Sequence, residues 1–295
     1  MQANHLLSGT RAARKFVLEF TKMSGAGNDF IVIDNRFYRF SPAELSTMAA
    51  RWCPRRTGVG ADGLLSLDAP EGSEDHYRMR YFNADGSLGT MCGNGARCLA
   101  RYARDAGITG EPLIFTSDAG LYRASVPEEG PVRLFVPVPR HFNPTPALHT
   151  DHPFGHDNCA YLWTGTEHLA VFVDDVAMVD VAQWGSLLRR DGALGNNGAN
   201  VNFVTLTDPG SSTEPARLTV RTFEKGVEAE TLACGTGSIA SSLITALTGR
   251  SDARHFEVQM PGGVLGVGFS GQPGLPENLY LEGAADVVYR GSLEL

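Results

Sequence analysis

Two cysteines carry the strongest chemical signal in this chain of 295 residues. The stretches Met91-Cys92-Gly93-Asn94-Gly95-Ala96-Arg97-Cys98 and Ala233-Cys234-Gly235-Thr236-Gly237-Ser238-Ile239-Ala240 each place a cysteine before Gly-x-Gly and a helical pattern. Each pattern closes at a glycine fifteen positions after its cysteine, Gly107 or Gly249. A thiol at the mouth of a helix faces the positive end of the dipole, which favours thiolate. The free N–H groups of the same turn can hold a carboxylate. Inverting a stereocentre beside a carboxylate means removing an α-proton from one face and returning one to the other. Two opposed thiols suit that task, because thiolate and thiol coexist near neutral pH once the pKa falls from about 8.5. Two helix N-termini aimed at one carboxylate would also stabilise the charge that develops on it. A lone cysteine before a glycine turn is most often a small buried residue. The repetition is what favours chemistry. Cys98 lies six residues into the first helix, and Cys53 and Cys159 lack the turn, so these three read as structural. His168 follows a strand and the Gly165 turn; taken alone it reads as a satisfied surface histidine. Gly25-Ala26-Gly27 lacks the third glycine and the ribose acid of a dinucleotide fingerprint.

The elements that must position these residues are mostly short strands punctuated by 34 glycines and 16 prolines. Strands are predicted at Phe16–Phe20, Phe30–Asp34, Tyr77–Phe82, Leu113–Phe115, Val132–Val138, Tyr161–Trp163, Ala170–Val173, Leu218–Phe223, Phe256–Met260 and Val264–Phe269. Helical periods appear after Ser41-Pro42, from Ala43 to Trp52, in the stripes Leu99, Tyr102, Ala103, Ala106 and Ile239, Leu243, Ala246, Leu247, and more weakly from Val181 to Arg190. The segment Pro137 to Pro153, with five prolines and three histidines, reads as a domain boundary. The halves look like copies of one design. Arg80-Tyr81-Phe82-Asn83 and Arg221-Thr222-Phe223-Glu224 precede the two cysteine turns, and Gly25–Phe30 is matched here to Gly198–Phe203. The expected fold is α+β, with two pseudo-symmetric α/β domains, each a duplicated β-rich unit wrapping a central helix, and the site in the cleft between them. The expected divisions are an N-terminal extension over 1–14, a first domain over 15–138 and a second domain over 139–283.

Composition narrows the function classes. A net charge of −8 argues against a nucleic-acid surface, which needs clustered Lys and Arg. Nothing in the sequence approaches the roughly 20 apolar residues of a membrane helix, and the first fourteen residues show no apolar signal region. Five cysteines with no CxxC pair suit reduced thiols in the cytoplasm better than disulfides or zinc.

Thr21–Phe30, Gly58-Val59-Gly60-Ala61-Asp62-Gly63, Phe82-Asn83-Ala84-Asp85-Gly86-Ser87, the Cys92 turn, and Glu224-Lys225-Gly226 through Cys234-Gly235-Thr236-Gly237 resemble the diaminopimelate epimerase family, over nearly all of the chain from about Lys15. The resemblance implies an enzyme free of pyridoxal phosphate and of metal, acting in lysine and peptidoglycan precursor synthesis. Its substrate is a small amino acid, LL-diaminopimelate, interconverted with the meso form; a homodimer is compatible with it. A C-terminal strand over 284–295 would return to complete the first domain, and Cys92 and Cys234 would be the acid and base. Gly93, Asn94, Gly235 and Thr236 would supply N–H groups to the reacting carboxylate. Asn28, Asn83 and Asn200 match positions that bind polar groups of the substrate. His168 and Glu224 match residues that adjust the thiols and hold the reacting amino end, and Thr166 and Lys225 fall among the substrate contacts.

The chain departs from the family pattern at Thr166-Glu167, where Asn-Pro is usual before the histidine, and at Lys225, where an arginine usually clamps the distal carboxylate. Lysine keeps the charge but loses the bidentate fork. Both changes concern the non-reacting end. They keep open a same-fold racemase of another amino acid, such as histidine. A cysteine hydrolase using one thiol with His168, and a non-catalytic amino-acid binder, are the readings from other classes; a binder has no use for two thiols.

Overall fold

A computed structural model describes residues 17–294. The expected extension over 1–14 lies outside the described residues. The strands are β1 (Val17–Gly25), β2 (Asn28–Asp34), β3 (Gly63–Asp68), β4 (Tyr77–Asn83), β5 (Leu88–Gly89), β6 (Leu113–Ser117), β7 (Gly120–Ser125), β8 (Val132–Phe135), β9 (Arg140–Asn143), β10 (Cys159–Trp163), β11 (Glu167–Phe172), β12 (Asn200–Asp208), β13 (Ala216–Glu224), β14 (Ala229–Thr231), β15 (His255–Met260), β16 (Gly263–Gln272), β17 (Leu275–Gly283) and β18 (Asp286–Glu294). The α-helices are α1 (Asn35–Tyr38), α2 (Pro42–Trp52), α3 (Gly93–Asp105), α4 (Val181–Leu188) and α5 (Gly235–Leu247).

The pairings run β1-β2-β3-β4-β6-β7-β8 in the first half and β10-β11-β12-β13-β15-β16-β17 in the second. Each run is parallel at its second and fourth junctions and antiparallel elsewhere, so the two halves share one topology. They join where β8 meets β17 antiparallel, with Glu282 opposite Arg133 and an ion pair of 2.6 Å between them. At the outer edges β18 pairs with β1, and β9 pairs with β10.

This topology moves one of the matches drawn from sequence. Gly198–Phe203 opens β12, whose counterpart is β3, whereas Gly25–Phe30 forms the turn into β2, whose counterpart is β11. The likeness is one of local need: both strands start just after a glycine with positive φ, Gly27 at 90° and Gly198 at 62°. The other match holds its phase, since Asn83 and Glu224 end the equivalent strands β4 and β13.

Each half wraps its sheet around one helix. Met23, Phe30, Val32, Leu65, Phe115 and Leu134 pack on Ala96, Leu99 and Ala103 of α3. Leu162, Val204, Val220, Phe256, Val267 and Leu281 pack on Ile239, Leu243 and Ile244 of α5. Fully burying such a side chain contributes about 1.5–3 kcal/mol, so the two helices are fixed by their barrels rather than by propensity. Because α5 is enclosed on all sides, its serines and Thr245 are buried too. Ser238 and Thr245 donate their hydroxyls to carbonyls one turn back, at 3.0 and 2.7 Å. Both helices close at the expected glycines: Gly107 (φ 86°) and Gly249 (φ 69°) cap them in the left-handed region. The next amides, of Ile108 and Arg250, reach back to Ala103 and Thr245, each at 3.0 Å.

Candidate active site

The two cysteine turns superpose in kind. Cys92 caps α3 with φ −136° and ψ 116°, and Cys234 caps α5 with φ −131° and ψ 103°. Their carbonyls accept the first helical bond, from Ala96 at 2.8 Å and from Ser238 at 2.9 Å. Cys92 Sγ accepts from the Gly95 amide at 3.5 Å, and Cys234 Sγ lies 3.5 Å from Thr236 Oγ1. A methyl group at Gly93 would stand 3.5 Å from Leu281 Cδ2, and one at Gly235 would stand 2.7 Å from the same atom. One leucine of β17 therefore sits between the two helix mouths. The Glu224 carboxylate, at the end of β13, acts electrostatically on both thiols.

The structure corrects the expected acidity of these thiols. Burial pushes Cys92 above the usual thiol range and Cys234 up to about 11, and the Glu224 carboxylate pushes both the same way. Opposing it are the amides of Gly95 and Asn94 and the Arg97 charge at Cys92, and the Thr236 hydroxyl with the Gly237 and Thr236 amides at Cys234. The helix mouth acts in the expected direction, but desolvation outweighs it. Cys53, Cys98 and Cys159 are pushed up to about 11, 12 and 12 by burial, as suits structural thiols.

His168 is not a surface residue: it is 0% exposed, on β11. Burial and the nearby Lys225 charge hold it down at about 3, so the ring is neutral. Asn202 Nδ2 lies 3.1 Å from Nδ1 and Asn200 Nδ2 lies 3.5 Å from Nε2, so an amide nitrogen faces each ring nitrogen. Thr222 Oγ1 fixes the Asn202 amide by donating to its Oδ1 at 2.9 Å. Asn202 escaped the sequence reading, although Asn200-Val201-Asn202 puts both amides on one face of a strand. Packing also explains Gly237, because a Cβ there would overlap Asn202 Oδ1.

Asn200 is engaged by backbone at both ends: it donates to the Glu167 carbonyl at 3.1 Å and accepts from the Lys225 amide at 2.8 Å. Lys225 Nζ is ion-paired with Glu167, whose carboxylate is held down at about 2. Thr166 Oγ1 adds a bond to that carboxylate at 3.2 Å. The departures at Thr166, Glu167 and Lys225 are thus one unit. Thr164, at the turn between β10 and β11, donates to the Thr236 carbonyl at 3.2 Å and ties this hairpin to the cysteine turn.

In the first half, Asn94 donates to Asn28 Oδ1 at 2.8 Å, and Asn28 donates to Asp62 Oδ2 at 2.9 Å. Asn83 donates instead to Ser87 Oγ at 2.9 Å, within its own turn. The β1–β2 turn at Ala26 and Gly27 reaches the second half: Ala26 packs on the α5 core, and a methyl at Gly27 would lie 3.1 Å from Gly262 Cα.

Two halves of one topology, each capping its central helix with a cysteine and both helix mouths meeting one leucine, define a class of duplicated α+β proteins. The fold is shared with a PhzF-family phenazine biosynthesis protein of Bacillus anthracis, at a TM-score of 0.68 and 17% identity over 95% of this chain and 100% of that one. It is shared also with a probable proline racemase of Agrobacterium radiobacter K84, at 0.62 and 16% over 94% and 93%. Within that class the chain belongs to the diaminopimelate epimerase family, whose model matches residues 20–136 and 160–286. It is 41% identical to the diaminopimelate epimerase of Chlorobaculum tepidum over 92% of this chain and 100% of the relative. Against that of Flavobacterium psychrophilum it is 34% identical over 94% and 100%.

Proposed function

We propose that this chain interconverts LL- and meso-diaminopimelate by moving an α-proton between the substrate and the thiols of Cys92 and Cys234. The observation that carries the two-thiol reading is that one side-chain atom, Leu281 Cδ2, lies against the first residue of both cysteine-capped helices, 3.5 Å from a methyl built at Gly93 and 2.7 Å from one at Gly235. The substrate carboxylate would lie across the amides at the mouths of α3 and α5, where the helix ends stabilise the charge spreading from the α-carbon. One cysteine, as thiolate, accepts the α-proton. The other, as thiol, delivers a proton to the opposite face, so the turnover is proton-neutral and leaves the pair in the opposite state. A high pKa serves the cysteine that acts as acid, which must hold its proton near neutral pH, while the amides at the helix mouth favour the thiolate of the one that acts as base. Such a step belongs to lysine and peptidoglycan precursor synthesis. All five cysteines are free, which fits a reducing cytoplasm.

The non-reacting end of diaminopimelate is itself an amino-acid zwitterion, and the Lys225–Glu167 pair offers a charge of each sign to it. Lys225→Met is expected to raise KM for diaminopimelate by about 10–100-fold with a smaller fall in kcat, since a charge-assisted hydrogen bond contributes about 1.5–3 kcal/mol. Steady-state kinetics in both directions measure this, and an unchanged KM would remove Lys225 from recognition. Incubation in D2O tests the substrate. Deuterium should enter LL-diaminopimelate and not histidine or other L-amino acids. Wash-in to histidine alone would replace this reading with the racemase.

A further inference from the structure

Arg97 is the largest fully buried side chain among the described residues, at 0% exposure. It lies on α3, five positions after Cys92. Its Nη2 donates to Asn94 Oδ1 at 2.7 Å and its Nη1 to the Gly93 carbonyl at 3.5 Å, while Nε has no partner among the described residues. Space for it is built in: a methyl group at Gly283 would stand 3.1 Å from Nη2. Among the described residues no carboxylate forms a salt bridge with it. A buried guanidinium without a counter-charge is costly, so its retention asks which anion answers it.

The nearest carboxylates are already engaged. Arg97 reaches Asp62 only through the amides of Asn94 and Asn28. Asp62 is paired with Arg55 at 2.7 Å, and Asp29 is shared between Arg55 and Lys22, at 2.7 Å each. Lys22, Arg55 and Arg97 therefore face two carboxylates, and one positive charge is left over at the mouth of α3. The second half has no such charge. Ile239 stands five positions after Cys234, where Arg97 stands after Cys92, and the charged neighbour of Cys234 is Glu224. The two thiols sit in equivalent turns that share the Glu224 charge and differ by the Arg97 charge beside Cys92.

We propose that Arg97 is a positioning residue that makes Cys92 the more readily ionised of the two thiols, so that the empty enzyme forms its base in the first half and keeps its acid in the second. This rests on the two-thiol reading above. The other groups facing these thiols do not make that choice. Glu224 of β13 opposes ionisation of both. The Tyr81 phenol of β4, beside Cys92, is pushed up by burial and stays neutral. Cys98 also faces Arg97, with Asp286 of β18 beyond it, but burial pushes that thiol up to about 12. It is sealed against Gly25, where a methyl would come within 2.8 Å of its Sγ.

Iodoacetamide alkylation of the full chain without substrate, over a pH series, with each cysteine followed by peptide mass spectrometry, tests this. In the wild type Cys92 is expected to react with a lower pH midpoint than Cys234, and Cys98 to stay unmodified. Arg97→Met should raise the Cys92 midpoint by about one pH unit, slowing its alkylation near neutral pH about tenfold, and leave Cys234 unmoved. Arg97→Lys should restore most of the difference. Equal midpoints in the wild type, a lower one at Cys234, or a Cys92 profile unmoved in a folded Arg97→Met protein would each overturn the proposal. The wild-type comparison decides even where Arg97→Met does not fold. Net epimerisation that still needs both cysteines would show that the two-thiol reading survives such a failure.

Discussion

Cys92→Ala and Cys234→Ala each lose net epimerisation by about 10²–10⁴-fold, the range that a positioned acid or base contributes. Each variant keeps one thiol and so one half of the chemistry. The remaining cysteine, as thiolate, can still take the α-proton from the isomer that presents it and return solvent deuterium to the same face. The expected signature is exchange without inversion, with LL-diaminopimelate and the meso form divided between the two variants. Alanine removes only Sγ at a site where the sulfur has no strong bond, so a stability change near about 1 kcal/mol is expected. The turn keeps its backbone bonds, because the cap carbonyls rather than the thiols accept from Ala96 and Ser238. A hydrolase built on one thiol with His168 requires the other to be dispensable. NMR of the α-position in D2O, with chiral separation of products, distinguishes the cases: full inversion in either single variant would end the two-base mechanism.

The parts of this site that were legible in the sequence are those encoded locally. A cysteine, two glycines and a closing glycine specify a capped helix within sixteen residues, and the two helices form where that pattern stands. The misreadings arose where meaning depends on what packs around a residue. Gly-Leu-Leu-Ser-Leu-Asp (β3) shows no alternation because almost every position is buried, so the strand passed unnoticed. The exposed β18 shows none for the opposite reason, and was expected only from the resemblance. Gly25 and Gly198 were matched because both precede strands, although the strands hold different places in the sheet. The thiols were expected to be acidic because the helix end is visible in sequence, whereas the barrel that desolvates them is not. Arg97 reads as the polar side of a helix until the helix proves to be enclosed.

The same enclosure makes stability depend on pH through His168. Its folded value of about 3 lies well below the ordinary 6.5, so between those values the unfolded chain binds a proton that the folded chain does not. Stability therefore falls as the pH drops through that window, by about 1.4 kcal/mol per unit. Going from neutral pH to about 4.5 should remove roughly 2–3 kcal/mol through this residue alone. Burial also holds His152 down, which adds in the same direction. Glu224, pushed up by burial, works against them, because its folded form takes up a proton first as the pH falls. Asp29 and Glu167, both held at about 2, contribute stability that is lost only at lower pH, below their ordinary values of 3.8 and 4.5. His168→Gln keeps an acceptor for Asn202 but cannot titrate. Urea unfolding of both proteins over a pH series should therefore show a shallower acid slope in the variant, even where its stability at neutral pH is lower. Parallel slopes would mean that His168 charges without disturbing its amide partners, and would remove it as the source of the acid slope.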